Sequence, residues 1–426
     1  MKILHITTHL GGGVGRFCSN IYGNDIIYEH EFLLIEDPID TGYLGNIRYK
    51  LLKNIKSNVE SYIAEFDIIQ IEFWNHPALI KFLLNHDLSN SRILIYSHIS
   101  GLYSPNLISD IIFDFCDLFV LSTPCSTAKY HQHIESQKCR VVHGVAGTDR
   151  FKDLVKEKND QFNIAYIGTA SFSKLHPSYL DLCQRIIELI PDVHFLFASN
   201  DSNIHLQEFV KINSLDKYFS FFTKMKDIEQ ILSQADLFGY PLRWDHFGTG
   251  EQALIEAMNA GIAPIVLSNP AESSLICDGV TGFVAADIDD YVNIVKFIYD
   301  NPNYTQKVGI QAKIFADENF AATKTLEKIQ ELYAEIISIP KRTHTFCKAI
   351  SSLDPTLIGF EFFNLFTGQD STISQLLNCE DKMKLSYLTS KFKRSLLMNE
   401  NKGGIGRYLD VFPDDLLLRR IYELIV

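Results

Sequence analysis

Residues 246–286 read HFGTGEQALIEAMNAGIAPIVLSNPAESSLICDGVTGFVAA, a glycine-rich turn, a helix-like run and two short apolar stretches. Thr249 and Gln252 stand in a Thr-x-x-Gln capping box, which predicts a helix beginning at Gly250. At about 100° per residue, Leu254, Ile255 and Met258 fall on one apolar stripe, and Ala253, Ala257, Ala260 and Gly261 form a small-residue flank. Glu256 and Asn259 are left on a narrow polar strip. Glu251 lies in the first turn beside the bulky stripe, so it is expected to face protein or a cleft rather than open water. A carboxylate in a first turn complements the helix dipole; Glu256 lies beyond that turn and is harder to explain as structure. The helix then runs into APIVLS (263–268), and a turn later into GFVAA (282–286), both short enough for buried strands.

The same alternation extends over most of the chain. In the first half the apolar runs are KILHIT (2–7), HEFLLIE (30–36), DIIQIEF (67–73), RILIYSH (92–98), LFVLST (118–123) and RVVHGV (140–145). FNIAYIG (162–168), HFLFAS (194–199), YFSFFT (218–223) and DLFGYP (236–241) precede the last two. Between them lie amphipathic segments such as YLDLCQRIIELI (179–190) and IEQILSQA (228–235). Strands alternating with helices predict an α/β class of parallel, doubly wound sheets covered on both faces. Two such series predict two Rossmann-like domains, 1–147 and 148–320, joined near GVAGTDRFKD (144–153), with a helix over 321–341 packing back toward the first. From residue 342 to 426 helical spacing continues without strands. Two readings of this extension are open, a helical add-on packed on the core or an interaction and oligomerisation module.

Composition narrows the class. The chain has 426 residues, 46% hydrophobic and 21% charged, with a formal net charge of −13. An acidic balance argues against nucleic acid as partner, because phosphate binding needs a clustered basic face. MKILHITTHLGGG reads as a buried first strand rather than a secretory signal, and no run of eighteen apolar residues suggests a membrane span. Eight cysteines without a CxxC pair read as reduced, mostly buried thiols of a cytoplasmic protein with no zinc site.

In doubly wound sheets, ligands bind where strands end and helices begin. The first such junction is HLGGGVGRF (9–17), whose Gly12, Gly13 and Gly15 let backbone N–H groups approach a ligand, with Arg16 behind them. It is not GxGxxG, which disfavours a nicotinamide dehydrogenase. IEFWNHP (71–77) and YSHISG (96–101) contribute Glu72, Trp74, His76 and His98. A lone histidine is commonly structural, yet His98 falls directly at a strand end. In the second series IGTASFSKLHP (167–177) brings Thr169 and Lys174. Asp287-x-Asp289 precedes YVNIVKFIY and reads as a helix N-cap rather than a metal-binding pair.

Taken together, these stretches resemble the glycosyltransferase family 4 enzymes, retaining transferases of the GT-B fold, over roughly residues 1–338. The resemblance is densest in residues 246–284, similar to that family's Glu-Ala-Met helix, with Gly261, Pro264, Glu272, Asp278-Gly279 and Gly282 following. IGTASFSK matches its second phosphate loop, VVHGVAGTDRF its interdomain segment and HLGGGVGRF its first loop. The resemblance implies transfer of a sugar from a nucleotide-sugar, UDP- or GDP-linked, bound in a cleft between the domains, to a glycan or lipid-linked acceptor. Glu256 is implied to hold the ribose hydroxyls, and Lys174 with the backbone of Thr249, Gly250 and Gln252 the diphosphate. Gly12, Gly13 and Thr169 are counted on the donor side. His98 is implied to touch the donor sugar or its phosphate, and the 11–16 loop, with Gly15, Arg16, Trp74 and His76, to face the acceptor. Front-face attack, the departing phosphate taking the acceptor's proton, needs neither protein nucleophile nor metal.

The chain departs from the family pattern in three places. The glutamate common eight residues before the helix glutamate is Gly248, and Glu251 is the candidate to take over its sugar contact. Thr169 stands for the usual arginine, and His143 for an asparagine. Two further readings stay beside the transferase, an epimerase-like GT-B enzyme that needs no acceptor and a non-catalytic nucleotide-sugar-binding partner subunit. RYKLLKNIKSNVESY (48–62) is a basic amphipathic stretch, read either as a peripheral membrane contact near a lipid-linked acceptor or as a solvated helix face.

Overall fold

In the computed structural model Ile3, Leu4 and Ile6 are fully buried, as an apolar first run demands, and Lys2–Thr7 forms an interior strand of a parallel sheet. The structure describes all residues except 39–43, 46, 57, 145–150, 152, 158, 171, 173, 200–203, 223–227, 247, 250, 345, 347–352, 369–370, 394–402 and 426. The chain divides into two compact units, Met1–Gly144 with Leu326–Val426, and Val145–Thr325.

The first unit contains β1 (Lys2–Thr7), β2 (Glu29–Leu34), β3 (Tyr49–Leu51), β4 (Ile68–Phe73), β5 (Leu88–Ser91), β6 (Ile93–Ser97), β7 (Leu118–Leu121) and β8 (Cys139–Val141). Seven of these form a sheet in the order β3-β2-β1-β4-β6-β7-β8, each described pair parallel. The chain winds outward from β1 to β3, then restarts at β4 on the other side. The order therefore reverses between β1 and β4, where ligands bind in such sheets. The second unit repeats the device with β9 (Phe162–Ile167), β10 (Val193–Ala198), β11 (Phe219–Phe222), β12 (Leu237–Tyr240), β13 (Pro264–Leu267) and β14 (Phe283–Ala285). Its order is β11-β10-β9-β12-β13-β14, all parallel, and the reversal falls between β9 and β12. All twelve apolar runs read as strands are strands, and both sheets carry helices, as in two Rossmann-like folds.

One expectation is corrected, and one open choice is narrowed. The basic stretch 48–62 is no amphipathic helix. It opens with edge strand β3, continues through a single 3-10 turn, Leu52–Asn54, and ends in the short helix Val59–Ile63. Three of its cations face carboxylates: Arg48 sits 3.9 Å from Glu29, Lys50 3.0 Å from Glu31 and Lys53 2.6 Å from Asp37. Of the two readings of the extension, the structure has the packed add-on. β15 (Arg342–His344) pairs antiparallel with β5, and among the described residues the helices Ile358–Thr367, Ser371–Leu377, Lys382–Lys393, Ile405–Val411 and Leu416–Ile425 follow. Phe346, Phe362, Phe366, Leu388, Leu418 and Ile421 are buried in the same apolar cluster as Phe73, Leu79 and Phe113. The expected partnering role of the extension would thus have to use its outer face. No described helix is long and apolar enough to cross a membrane.

Candidate functional site

In the second unit the loops after β9 and β12 are tied together at the reversal point. Leu175 and Leu242 form an isolated bridge, and the Arg243 amide donates to the Lys174 carbonyl at 2.9 Å. The Lys174 ammonium lies 2.8 Å from Glu251 Oε2, and the Tyr240 hydroxyl donates to the same oxygen at 2.6 Å. Both charges are withdrawn from water, the side chains being 14% and 1% exposed. Burial alone pushes the Glu251 carboxyl up, but Lys174, His246 and the Tyr240 hydroxyl outweigh it and hold it below the usual carboxylate range. His246 Nε2 is 2.8 Å from Glu272 Oε1, and its Nδ1 accepts from the Gly248 amide at 2.9 Å. Burial lowers His246, yet the Glu272 carboxylate wins and raises it above an ordinary histidine.

The capping box expected at Thr249 and Gln252 is not formed. The helix is Gln252–Asn259, and its N-cap is Glu251, with no side-chain capping bond. Glu251 adopts φ 42°, ψ 59°, a left-handed conformation that costs a non-glycine residue on the order of 1–3 kcal/mol and is kept where the surroundings fix it. The reason is its carboxylate, which is drawn inward onto Lys174 and Tyr240 instead of outward onto the helix end. Glu256 and Asn259, expected on a polar strip, are 1% and 0% exposed. The Gln252 side-chain amide donates to Glu256 Oε1 at 3.4 Å. A Cβ built on Gly248 would lie 1.7 Å from Glu251 Oε1. A side chain at 248 and the Glu251 carboxylate therefore exclude one another. Glu251 Oε1 and Glu272 Oε2 are buried without a hydrogen-bond partner among the described residues. Thr169 follows β9 and its carbonyl accepts from the Tyr166 hydroxyl at 2.8 Å. Gly250 lies outside the described residues.

In the first unit the 9–17 junction opens the helix Gly12–Tyr22, which holds Gly12, Gly13, Gly15 and Arg16. Gly12 has φ +55°, and a Cβ at Gly12 or Gly13 would meet open space. His76 is the N-cap of the helix Pro77–Asn85, its Nδ1 accepting from the Ala78 amide at 3.2 Å. On its other nitrogen it accepts from Arg407 Nε at 3.3 Å, while Arg407 Nη2 sits 2.5 Å from Glu36. Burial and the neighbouring Arg407 charge bring His76 down to about 3. Trp74 is half-buried, its ring 5.4 Å from that of His9. His98 follows β6, 9% exposed, with Nε2 2.7 Å from Glu72 Oε2.

Glu72 is fully buried at the end of β4, and His5 Nδ1 lies 2.7 Å from its Oε1. Burial pushes Glu72 up, but the two imidazoles bring it down to about 2. Cys18, Glu72 and His98 have ligand atoms within 4.8 Å of one another. Burial raises the Cys18 thiol well above its ordinary value and both Glu72 oxygens are engaged, so the cluster reads as a hydrogen-bond network. Asp287 accepts from the Asp290 amide at 2.9 Å, the N-cap read from the sequence.

Sequence reasoning missed His5, Tyr240, His246 and Arg407. A histidine inside the apolar run KILHIT was a signal for the first. Arg407 stands more than three hundred residues from His76, and nothing local marks it.

Burial also pulls His5 down to about 4. An unfolded histidine binds a proton near pH 6.5, so below that the unfolded chain takes up a proton the folded one refuses. The stability associated with neutral His5 is present above pH 6.5 and lost as pH falls toward 4, by about 3 kcal/mol at 1.36 kcal/mol per unit. Urea unfolding at pH 7 and pH 4.5 is expected to show a lower midpoint at pH 4.5. A midpoint that does not move would mean His5 is protonated in the folded chain.

Residues 148–315 match the family model of glycosyl transferases group 1, which identifies the second unit as a glycosyltransferase domain. No curated protein sequence matches the chain. Among solved structures it is similar to Anabaena HepE in complex with UDP-glucose, with TM-score 0.64 and 16% identity over 79% of this chain and 100% of that one. It is also similar to a sucrose-phosphate synthase from Thermosynechococcus elongatus (TM-score 0.60, 14% identity, 79% and 99% covered). A third is the lipopolysaccharide outer core galactosyltransferase WaaB (TM-score 0.54, 16% identity, 79% and 100% covered). At such identities the likeness is one of fold, the GT-B fold.

Proposed function

We propose that this glycosyltransferase is a retaining, metal-independent enzyme of family 4 that moves a sugar from a nucleotide-sugar to a glycan or lipid-linked acceptor. The observation that carries the reading is the buried Lys174–Glu251 pair at the β9/β12 reversal, beside a helix with a second buried carboxylate, Glu256. An ammonium held there costs desolvation, which is understandable when its partner is exchanged for a diphosphate on binding. Lys174, Thr169 and the 249–252 backbone are the diphosphate-side groups, and Glu256 the acceptor for ribose hydroxyls. Glu251 is the candidate for the sugar hydroxyls, because its carboxylate fills the space a side chain at 248 would use. In the first unit His98 faces the donor sugar, and the 11–16 loop with Trp74 the acceptor; His76 contributes by holding Arg407. With the departing phosphate as proton acceptor, these groups bind, orient and neutralise, and no covalent intermediate on the protein is formed. UDP is the first nucleotide to test, since a structurally similar protein holds UDP-glucose.

Thermal shift against UDP, GDP, ADP and CMP and their sugar conjugates tests the reading. A ligand at a hundred times its Kd stabilises by about 2.7 kcal/mol, so one nucleotide class is expected to raise Tm of the wild type by several degrees. Glu256→Ala is expected to show no such rise. Loss of donor without acceptor, as free sugar or epimer, would instead support the epimerase-like reading. No shift with any nucleotide would overturn the donor site.

A further inference from the structure

A continuous line of titratable groups crosses the first unit beneath His98. Asp25 Oδ2 is 2.9 Å from His30 Nε2, and His30 Nδ1 is 2.8 Å from His5 Nε2. His5 Nδ1 is 2.7 Å from Glu72 Oε1, and Glu72 Oε2 is 2.7 Å from His98 Nε2. The line begins in the loop before β2, passes through the start of β2, the middle of β1 and the end of β4, and finishes just past β6. Side groups lock it. The Gln70 amide donates to Glu72 Oε1 at 2.8 Å, the Tyr333 hydroxyl donates to Gln70 Oε1 at 2.6 Å, and Gln330 donates to Asp25 Oδ1 at 2.9 Å.

The protons can be counted. Four links need four protons, one each, because two bare acceptors facing each other do not bond. Three neutral imidazoles supply three. A second proton on His98 would lie on Nδ1, outside every link, so the fourth must sit on Asp25, His30, His5 or Glu72. Glu72 is ionised, held at about 2 against burial by His5 and His98, and burial keeps His5 neutral down to about 4. Burial raises the Asp25 carboxyl, but the His30 hydrogen bond and the Ile27 and Tyr28 amides outweigh it and hold it below its ordinary value. Arg48 and Tyr28 line the same pocket as Asp25 and His30, and the buried titratable groups packed around the line are Cys18 and Tyr22 from the first helix, Tyr96 from β6 and Tyr333 from the helix Ala322–Ile337. Burial raises all four well above their ordinary values, so none carries charge near neutral pH. The remaining seat is His30, between the Asp25 carboxylate and His5.

We propose that Asp25, His30, His5, Glu72 and His98 form one hydrogen-bonded line that stores a proton on His30 and fixes the His98 N–H on Nε2, leaving Nδ1 for the ligand. Glu72 and His5 are positioning residues. Glu72 holds the His98 ring by accepting from it, and His5, donating to the other oxygen, keeps that carboxylate ionised and aimed. A bare Nδ1 accepts from a sugar hydroxyl and does not donate to a phosphate oxygen. This choice of ligand group rests on the reading that His98 touches the donor sugar; the protonation pattern does not, since it exists without ligand.

The test uses the full-length protein with 15N-labelled histidine rings and long-range proton–nitrogen correlation at pH 7.5, assigned with His30→Gln and His98→Gln. His98 is expected as the Nε2–H tautomer, His5 as Nδ1–H, and His30 with both nitrogens protonated. A neutral His30, or His98 with its proton on Nδ1, overturns the proposal. His5→Phe then separates the line from a local pair. It leaves two links and two imidazoles, so the fourth proton is no longer required, and His30 is expected to become neutral while His98 keeps Nε2–H. If His30 stays charged in that variant, Asp25 alone holds the proton and the line is overturned. If the variant does not fold, the wild-type spectra decide.

Discussion

Lys174→Met is expected to lower sugar transfer at least about 100-fold and to destabilise the second unit by about 3–5 kcal/mol. The two effects share one cause. The ammonium is 14% exposed and its partner Glu251 1% exposed, so removing it leaves a carboxylate buried with the Tyr240 hydroxyl as its remaining strong partner. Breaking a buried ion pair on one side commonly costs that much, whereas an exposed pair would cost under about 1 kcal/mol. In the role proposed for Lys174, the activity loss follows from the charge that develops on the departing diphosphate, where one preorganised donor is worth about a factor of 100–1,000. Lys174→Met/Glu251→Gln separates the two. Removing both charges is expected to recover part of the stability, because no buried charge is left alone, and none of the activity. Urea unfolding and initial-rate measurements on the three proteins check this. Additive stability losses would show that the pair does not interact, and near-normal rates in Lys174→Met would remove Lys174 from the site.

The fold was legible because doubly wound sheets bury both faces of their strands, and such strands stand out as short apolar runs between helical stretches. β3 escaped because it is an edge strand of three residues, and its Lys50 pairs with Glu31 on the neighbouring strand. β5 and β15 escaped because their pairing joins residues about 250 apart. In the candidate site, residue types at strand ends were readable but their partners were not. Glu251 was correctly turned toward protein, yet the capping box drawn beside it failed, since a local side-chain bond lost to an ion pair and a hydroxyl reaching in from β9 and β12. Glu72 was noticed at a strand end. Its partnership with His5 and His98 needs the register of β1, β4 and β6, which no periodicity supplies.

A chain ending at residue 341 is expected not to fold its first unit. Extension side chains such as Phe346, Phe362, Phe363, Phe366, Leu418 and Ile421 belong to that unit's main apolar cluster. Each contributes about 1.5–3 kcal/mol by burial, as an upper estimate. Ordering the extension takes back much of this gain, but truncation also bares the side chains it covers, among them Phe73 and Leu79. A deficit of even about 10 kcal/mol equals the whole stability of an ordinary domain. The backbone is joined too: a Cβ on Gly403, at φ +77°, would lie 2.7 Å from the Asn75 carbonyl oxygen, so the extension runs against the loop that carries Trp74 and His76. The expected result is an aggregated protein, or one without a cooperative transition for the first unit, while the full chain melts normally. Leu418→Ala, fully buried, gives the graded version and is expected to cost about 2–5 kcal/mol. A soluble 1–341 chain with the full-length Tm would show that the extension is an appendage. Loss of folding would mean that the loop carrying Trp74 and His76, with Arg407 against His76, exists only because the last eighty-five residues are in place.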